Sequence, residues 1–239
     1  MERKECRLIL LAGKKHSGKT TFVQRVIEKL TRENFKIAGL LAPSVYEGAF
    51  LLGYNLVNID NGKRVKFARR RKPEEPFQFS SKGWRFGQAI LNNRKTRKSD
   101  LVIIDEFGPI ELAGGGWRKD VDLLLSSTNC IILLVVRKEI VSKVKRLYKK
   151  YEPAELAAKR NDSINKCLQI LNGRKKIKDK QMVNEKIAKR LGRFVKRGQI
   201  SCRQCFKIAG ESKVNLKSIG DACNKMKIKI RSCQLGCFK

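Results

Sequence analysis

The chain is short of acids. Its 239 residues hold 22 Asp+Glu against 55 Lys+Arg, a formal charge of +33. The imbalance is uneven, with +13 over residues 1–138 and +20 over the shorter stretch 139–239. A field of this sign attracts polyanions, so RNA, DNA or an acidic protein fits as a partner. Aromatics are scarce too, at 7%, and few are interleaved with the basic residues. That counts against a base-stacking surface and keeps a merely solvated lysine-rich surface as the alternative. No uninterrupted apolar run approaches the roughly 18 residues of a membrane span, which excludes a membrane partner of that kind. Residues 2–5 are charged and lead directly into an apolar strand, without the apolar core or cleavage site of a secretory signal. The expected compartment is the cytoplasm, where the eight cysteines stay mostly reduced. Histidine occurs once, at His16, where it reads as a loop spacer rather than a catalyst.

What is present is concentrated near the start. Gly13, Lys14, Lys15, His16, Ser17, Gly18, Lys19 and Thr20 fit the pattern of glycine, four free positions, then Gly-Lys-Thr. The two glycines let the backbone turn tightly with its N–H groups facing inward, which makes a nest for anionic oxygens. Lys19 can reach β- and γ-phosphates, and the Thr20 hydroxyl is a candidate ligand for Mg²⁺. The apolar run at residues 7–12 reads as a buried parallel strand. From Thr21 onward, Phe22, Val23, Val26, Ile27 and Leu30 recur at helical spacing. Strand, glycine loop, helix is the order that places phosphates at a helix N-terminus.

Further along, apolar runs at 35–41, 101–104 and 130–136 alternate with helical stretches at 84–92 and 117–126. The alternation predicts an α/β fold with a mostly parallel sheet and helices on both faces. Asn61-Gly62 between strand-like segments signals a hairpin, so a small antiparallel insertion is expected at 45–69. Residues 139–151 read as a basic amphipathic helix. The expected domains are a P-loop domain over 1–150, a basic helical linker over 151–199, and a small cysteine-bearing module over 200–239.

Asp105 and Glu106 end the aliphatic strand at 101–104, the position of a metal-holding carboxylate followed by a water-positioning one. The segment Asp105-Glu106-Phe107-Gly108-Pro109-Ile110-Glu111-Leu112 resembles the Asp-Glu-x-Gly-Pro-x-Glu-Leu signature of the thermophilic nucleoside-triphosphatase family. Gly39 to Pro43, Gly53-Tyr54, Asn61 to Arg64 and Phe67 to Arg69 are similar to further family segments, and the resemblance spans roughly residues 5–140. It implies a P-loop enzyme that hydrolyses the γ-phosphate of ATP, GTP or other nucleoside triphosphates with Mg²⁺. Carried over residue by residue, Gly13, Gly18, Lys19, Thr20 and Thr21 match the phosphate loop. Thr20 and Asp105 would hold the metal, and Lys19, Asp105 and Glu106 would be catalytic. Arg137, after the next strand, would contact the nucleotide or the transition-state charge. Glu111 matches the last acid of the signature, with no role assigned. Tyr46 stands where relatives often carry Arg, and Arg69 to Arg71 offer a replacement. The family's final strand, near 155–165, has no visible signal here. A regulatory protein switched by nucleotide, a P-loop kinase and an accessory GTPase are the alternatives.

The tail holds Cys202, Cys205, Cys223, Cys233 and Cys237. Cys202, Cys205, Cys233 and Cys237 can supply four thiolates to zinc or an iron–sulfur cluster. Alternatively these thiols are buried as small hydrophobes, or exchange with disulfides. Helices over 200–212 and 216–226, with a strand at 227–231, resemble a helix-turn-helix with a rudimentary wing, and fit nucleic acid.

Overall fold

The computed structural model describes residues 6–14, 17–158 and 161–232, apart from the side chains of 161 and 176–181. The chain forms two compact units, Met1–Leu171 and Asn172–Lys239.

The first unit is built on one sheet. In chain order its strands are β1 (Leu8–Gly13), β2 (Ile37–Leu41), β3 (Ser44–Glu47), β4 (Phe50–Asn58), β5 (Arg64–Arg69), β6 (Gln78–Phe79), β7 (Leu101–Phe107), β8 (Ile131–Arg137) and β9 (Ala154–Ala157). The strand order is β6-β5-β4-β2-β7-β8-β1-β9, with β3 paired to β4. The pairs β2–β7, β7–β8, β8–β1 and β1–β9 are parallel. The pairs involving β3 to β6 are antiparallel. The expected insertion is therefore real and extends to Phe79. At its hairpin the Gly62 N–H donates to the Asn58 carbonyl at 2.9 Å.

β1 shows why both faces need cover. Leu8 and Leu10 point into one apolar core, while Ile9 and Leu11 point into the other. Alternation on a strand buried from both sides yields the continuous apolar run seen in the sequence. One face is covered by α1 (Lys19–Arg32) through Phe22, Val23, Val26 and Leu30. The other is covered by α2 (Ser81–Leu91) and, beyond the short α3 (Arg94–Arg97) and α4 (Pro109–Leu112), by α5 (Arg118–Ser127). Val141 and Val144 of α6 (Val141–Leu147) join that second core. The helix expected over 139–151 is thus one short α-helix flanked by 3₁₀ turns.

The final strand, without a visible signal in the sequence, is β9, parallel to β1. It lies in the stretch expected as linker. So does the start of α7 (Asn161–Phe194), whose Cys167 and Leu171 are buried in the same core as α1. The first unit therefore runs past residue 150, because β9 and these two side chains complete its sheet and core.

The second unit contains the end of α7, β10 (Gln199–Ser201), α8 (Cys202–Ser212), α9 (Leu216–Lys225) and β11 (Lys229–Arg231). Its core gathers Ile187, Leu191, Ile200, Cys205, Ile208, Ile219, Cys223 and Ile228. The segment at 200 starts as a strand rather than a helix, because Ser201 serves as N-cap: its Oγ accepts from the Gln204 N–H at 3.2 Å. Asn215 caps α9, accepting from the Ser218 N–H at 2.8 Å. β10 and β11 pair in parallel, with the α8–turn–α9 hairpin as their crossover.

Candidate functional site

The parallel strands bring the glycine loop and the acid pair to one edge of the sheet. The carboxyl ends of β1, β8 and β7 lie side by side, and Gly13 is in register with Arg137. Gly18 takes φ +77° and opens α1, a left-handed conformation that costs glycine nothing. Gly13 has no room for a side chain, since a Cβ there would lie 2.6 Å from Ser17 Oγ. Lys15 and His16 lie outside the described residues.

The Lys19 ammonium curls over the loop, donating to the Lys14 carbonyl at 2.7 Å and the Gly13 carbonyl at 3.3 Å. Partial burial lowers its pKa against the pull of Glu106 and Asp105. Asp105 is almost wholly buried, 4% exposed. Its Oδ2 accepts from the Thr20 hydroxyl at 3.0 Å and from the Ala42 N–H at 3.2 Å. Burial pushes its carboxyl up to about 6, and those two hydrogen bonds oppose the shift. Glu106 is held at φ +72°, in the left-handed region, and its Oε1 accepts from Arg137 Nη2 at 2.8 Å. A non-glycine residue in that region costs energy and is a device of functional sites.

A cleft of about 360 Å³ joins these groups, with Gln24, Ser44, Tyr46 and Tyr54 on its other walls. It therefore unites Ser17, Gly18, Lys19, Thr20, Thr21, Asp105, Glu106 and Arg137 of the residues expected from sequence. Arg69 and Arg70 do not replace the missing arginine. Arg69 Nη1 donates to the Tyr54 carbonyl at 2.5 Å and Arg70 Nε to the Leu51 carbonyl at 3.0 Å, so both serve the insertion's own backbone. Glu111 has a structural task. Its buried carboxylate accepts from the Gly108 N–H at 2.7 Å and the Trp117 N–H at 3.3 Å, locking the turn after the acid pair. No local pattern marks the Ala42 N–H or the Tyr54 wall in the sequence, although both lie in segments that carry the family resemblance.

Thr20 and Asp105 offer hard oxygen donors 3.0 Å apart, a set that suits Mg²⁺, which takes one or two protein oxygens and fills its shell with phosphate and water. The tail is different. Cys205 is buried beside Cys223, and burial pushes its thiol up to about 12. Cys202 is half-buried at the start of α8, and Cys233 and Cys237 lie outside the described residues. Among the described residues no group of three or more His, Cys, Asp or Glu side chains is placed to hold a metal ion.

A glycine loop between strand and helix, facing an acid pair across a parallel sheet, defines a P-loop NTPase-like α/β protein. The NTPase family pattern matches residues 8–168, more than half of the chain, and the chain belongs to that family. It is 32% identical over 150 residues to the nucleoside-triphosphatase THEP1 of Methanothermobacter thermautotrophicus, covering 58% of this chain and 81% of the relative. It is 28% identical to the THEP1 of Saccharolobus solfataricus, covering 58% and 81%. In fold it is similar to a human cancer-related nucleoside triphosphatase solved in solution, with a TM-score of 0.53 at 19% identity, covering 70% of this chain and 96% of that one.

Proposed function

We propose that the chain hydrolyses the γ-phosphate of nucleoside triphosphates in the cleft between the glycine loop and the acid pair, with Mg²⁺ held by Thr20 and Asp105. The observation that carries this is the 3.0 Å contact between Thr20 and Asp105, which joins the two halves of the site from opposite sides of β8. Bound Mg²⁺ would neutralise charge that develops between the β- and γ-phosphates. The chain's own groups do the rest. Backbone N–H groups at the start of α1 cradle the phosphates. Lys19 leaves its two loop carbonyls for the phosphate oxygens. Glu106 releases Arg137, orients the attacking water and takes its proton. The freed guanidinium then faces the charge on the transferring group. Tyr54 and Tyr46 wall the cleft from the insertion. The cleft recognises phosphate, so several bases are accepted, and we infer a cytoplasmic setting.

Phosphate release from ATP and GTP with Mg²⁺ tests this. Lys19→Ala and Glu106→Gln should each lower turnover by about 10²–10³-fold, the cost of losing one preorganised charged or hydrogen-bonding group. Glu106→Gln should still bind the nucleotide. Equal turnover in wild type and Lys19→Ala would remove the proposal.

A second reading concerns the second unit alone. Lys186, Lys189, Arg190 and Arg193 line one hollow at the end of α7, beside Ser212 of α8. With the capped α8–α9 hairpin this supports nucleic-acid binding. A labelled DNA duplex titrated at low salt tests it, and alanine at these four positions should weaken binding at least tenfold.

A further inference from the structure

Behind the acid pair lies a second cavity of about 120 Å³. It shares Ala42, Tyr54, Asp105, Glu106 and Arg137 with the nucleotide cleft. Its other walls are rings and the turn Gly108, Pro109, Ile110 and Glu111. Phe67, Trp84 and Trp117 pack on one another at 4.5–5.6 Å between centroids. Phe79 lies 5.6 Å from Trp84, and Phe77 meets Tyr54 edge-on at 5.2 Å. Such clusters normally close on themselves in a core. This one leaves a space and a rim, with Phe79 42% and Ile110 40% exposed to solvent.

Size and polarity limit what can enter. An apolar cavity of roughly 150 Å³ holds one benzene molecule, so this smaller space, adjoining the nucleotide cleft, admits no more than one six-membered ring. Flat ring walls favour a planar aromatic occupant over a puckered one. Asp105, Glu106 and Arg137 come from the sheet edge, and the oxygens of Glu111, which also lines the cavity, are taken by the Gly108 and Trp117 N–H groups, so a ring seated among the aromatics has one hydrogen-bonding end. That end meets the Glu106 carboxylate, which accepts, or the Arg137 guanidinium, which donates.

We propose that this cavity is a binding site for a compound with one planar aromatic ring carrying a hydroxymethyl group at its edge, seated against Glu106 next to the reacting phosphate. The hydroxyl takes the place beside Glu106 from which a water would be oriented, so occupancy slows hydrolysis. The effect on hydrolysis rests on the role of Glu106 proposed above. The binding does not.

The chain's two tryptophans, Trp84 and Trp117, both line the cavity, so tryptophan fluorescence reports on it alone. The probe is benzyl alcohol, titrated into the full chain without nucleotide, in wild type and in Lys19→Ala. The expected result is a saturable change in both, half-complete at about millimolar probe and at least fivefold weaker for cyclohexylmethanol, which has the same hydroxymethyl group on a puckered ring. Phe77→Ala, at a half-buried position, should weaken the benzyl alcohol signal at least tenfold, and Phe79→Ala at the rim serves if the first variant does not fold. At saturating probe, phosphate release by wild type should fall at least twofold. A linear, unsaturable response overturns the site, as does equal affinity for the two alcohols or unchanged affinity in a folded Phe77→Ala. Saturable binding with unchanged turnover overturns the placement against Glu106. Saturable binding to Lys19→Ala alongside wild-type turnover by that variant would overturn the hydrolysis proposal and leave the cavity standing.

Discussion

Asp105 and Glu111 are both buried carboxylates, and they are set up for opposite purposes. Burial raises Asp105 to about 6, above its ordinary 3.8, so the metal-free fold prefers it protonated. Its contribution to stability is complete below about pH 3.8 and is lost as pH rises through about 6. The loss is at most roughly 3 kcal/mol, two units at 1.36 kcal/mol each. Asp105→Asn should therefore make the metal-free protein about 1–3 kcal/mol more stable at pH 7.5, and leave it unchanged at pH 4. Denaturant midpoints at the two pH values check this, and phosphate release should fall by at least about 100-fold in the same variant. Glu111 is paired on both oxygens, and burial raises its pKa against those hydrogen bonds. Glu111→Gln keeps the size but turns an amide N–H₂ towards one of two backbone donors. It should cost about 1–3 kcal/mol, seen as a lower melting temperature, although no substrate-facing group has changed.

At the scale of elements, the parts that were legible in the sequence are those with a strong local pattern. The glycine loop, the fully apolar β7 and β8 and the Asn61-Gly62 hairpin each carry their signal within a few residues. β9 does not, because only Leu156 of Ala154–Ala157 is buried and the strand is four residues long at a sheet edge. Nothing in its own residues separates it from a loop, and its identity comes from the pairing with β1. The aromatic cavity was equally hidden. Its rings come from six positions between Tyr54 and Trp117, on separate elements, and no window of sequence contains them. A chain ended after residue 151 loses β9 and exposes the edge of β1, along with the surface covered by Leu156, Cys167 and Leu171. An unpaired parallel edge of this apolar kind invites association. That shortened chain should aggregate on expression, while one ended after Leu171 should remain dispersed and keep its nucleotide turnover. Size-exclusion chromatography and phosphate release distinguish the two.

At the scale of the whole molecule, charge separates the two proposed activities. Hydrolysis depends on buried and half-buried groups whose interactions salt screens weakly. Polyanion binding by the basic second unit depends on exposed lysines and arginines and should weaken steeply with salt. In a plot of log affinity against log salt, replacing Lys186, Lys189, Arg190 and Arg193 by alanine should reduce the slope by up to about 3–4, close to 0.9 for each phosphate no longer neutralised. Nucleotide turnover should stay nearly flat across the same salt range. A slope equal to that of wild type would place the polyanion elsewhere on the chain.

The strand order β7-β8-β1 has one more consequence. Neighbouring strands stand about 4.8 Å apart, so the glycine loop and the acid pair face each other across two strand spacings, roughly 10 Å. That distance is the pitch of a hydrogen-bonded lattice, and side-chain substitution within the sheet cannot stretch it by fractions. The gauge of the phosphate gap is fixed once the strands pair. Variation in what is accepted or cleaved has to be written in the parts that hang off the lattice: the reach of Thr20, the Glu106–Arg137 latch and the antiparallel insertion that walls the cleft.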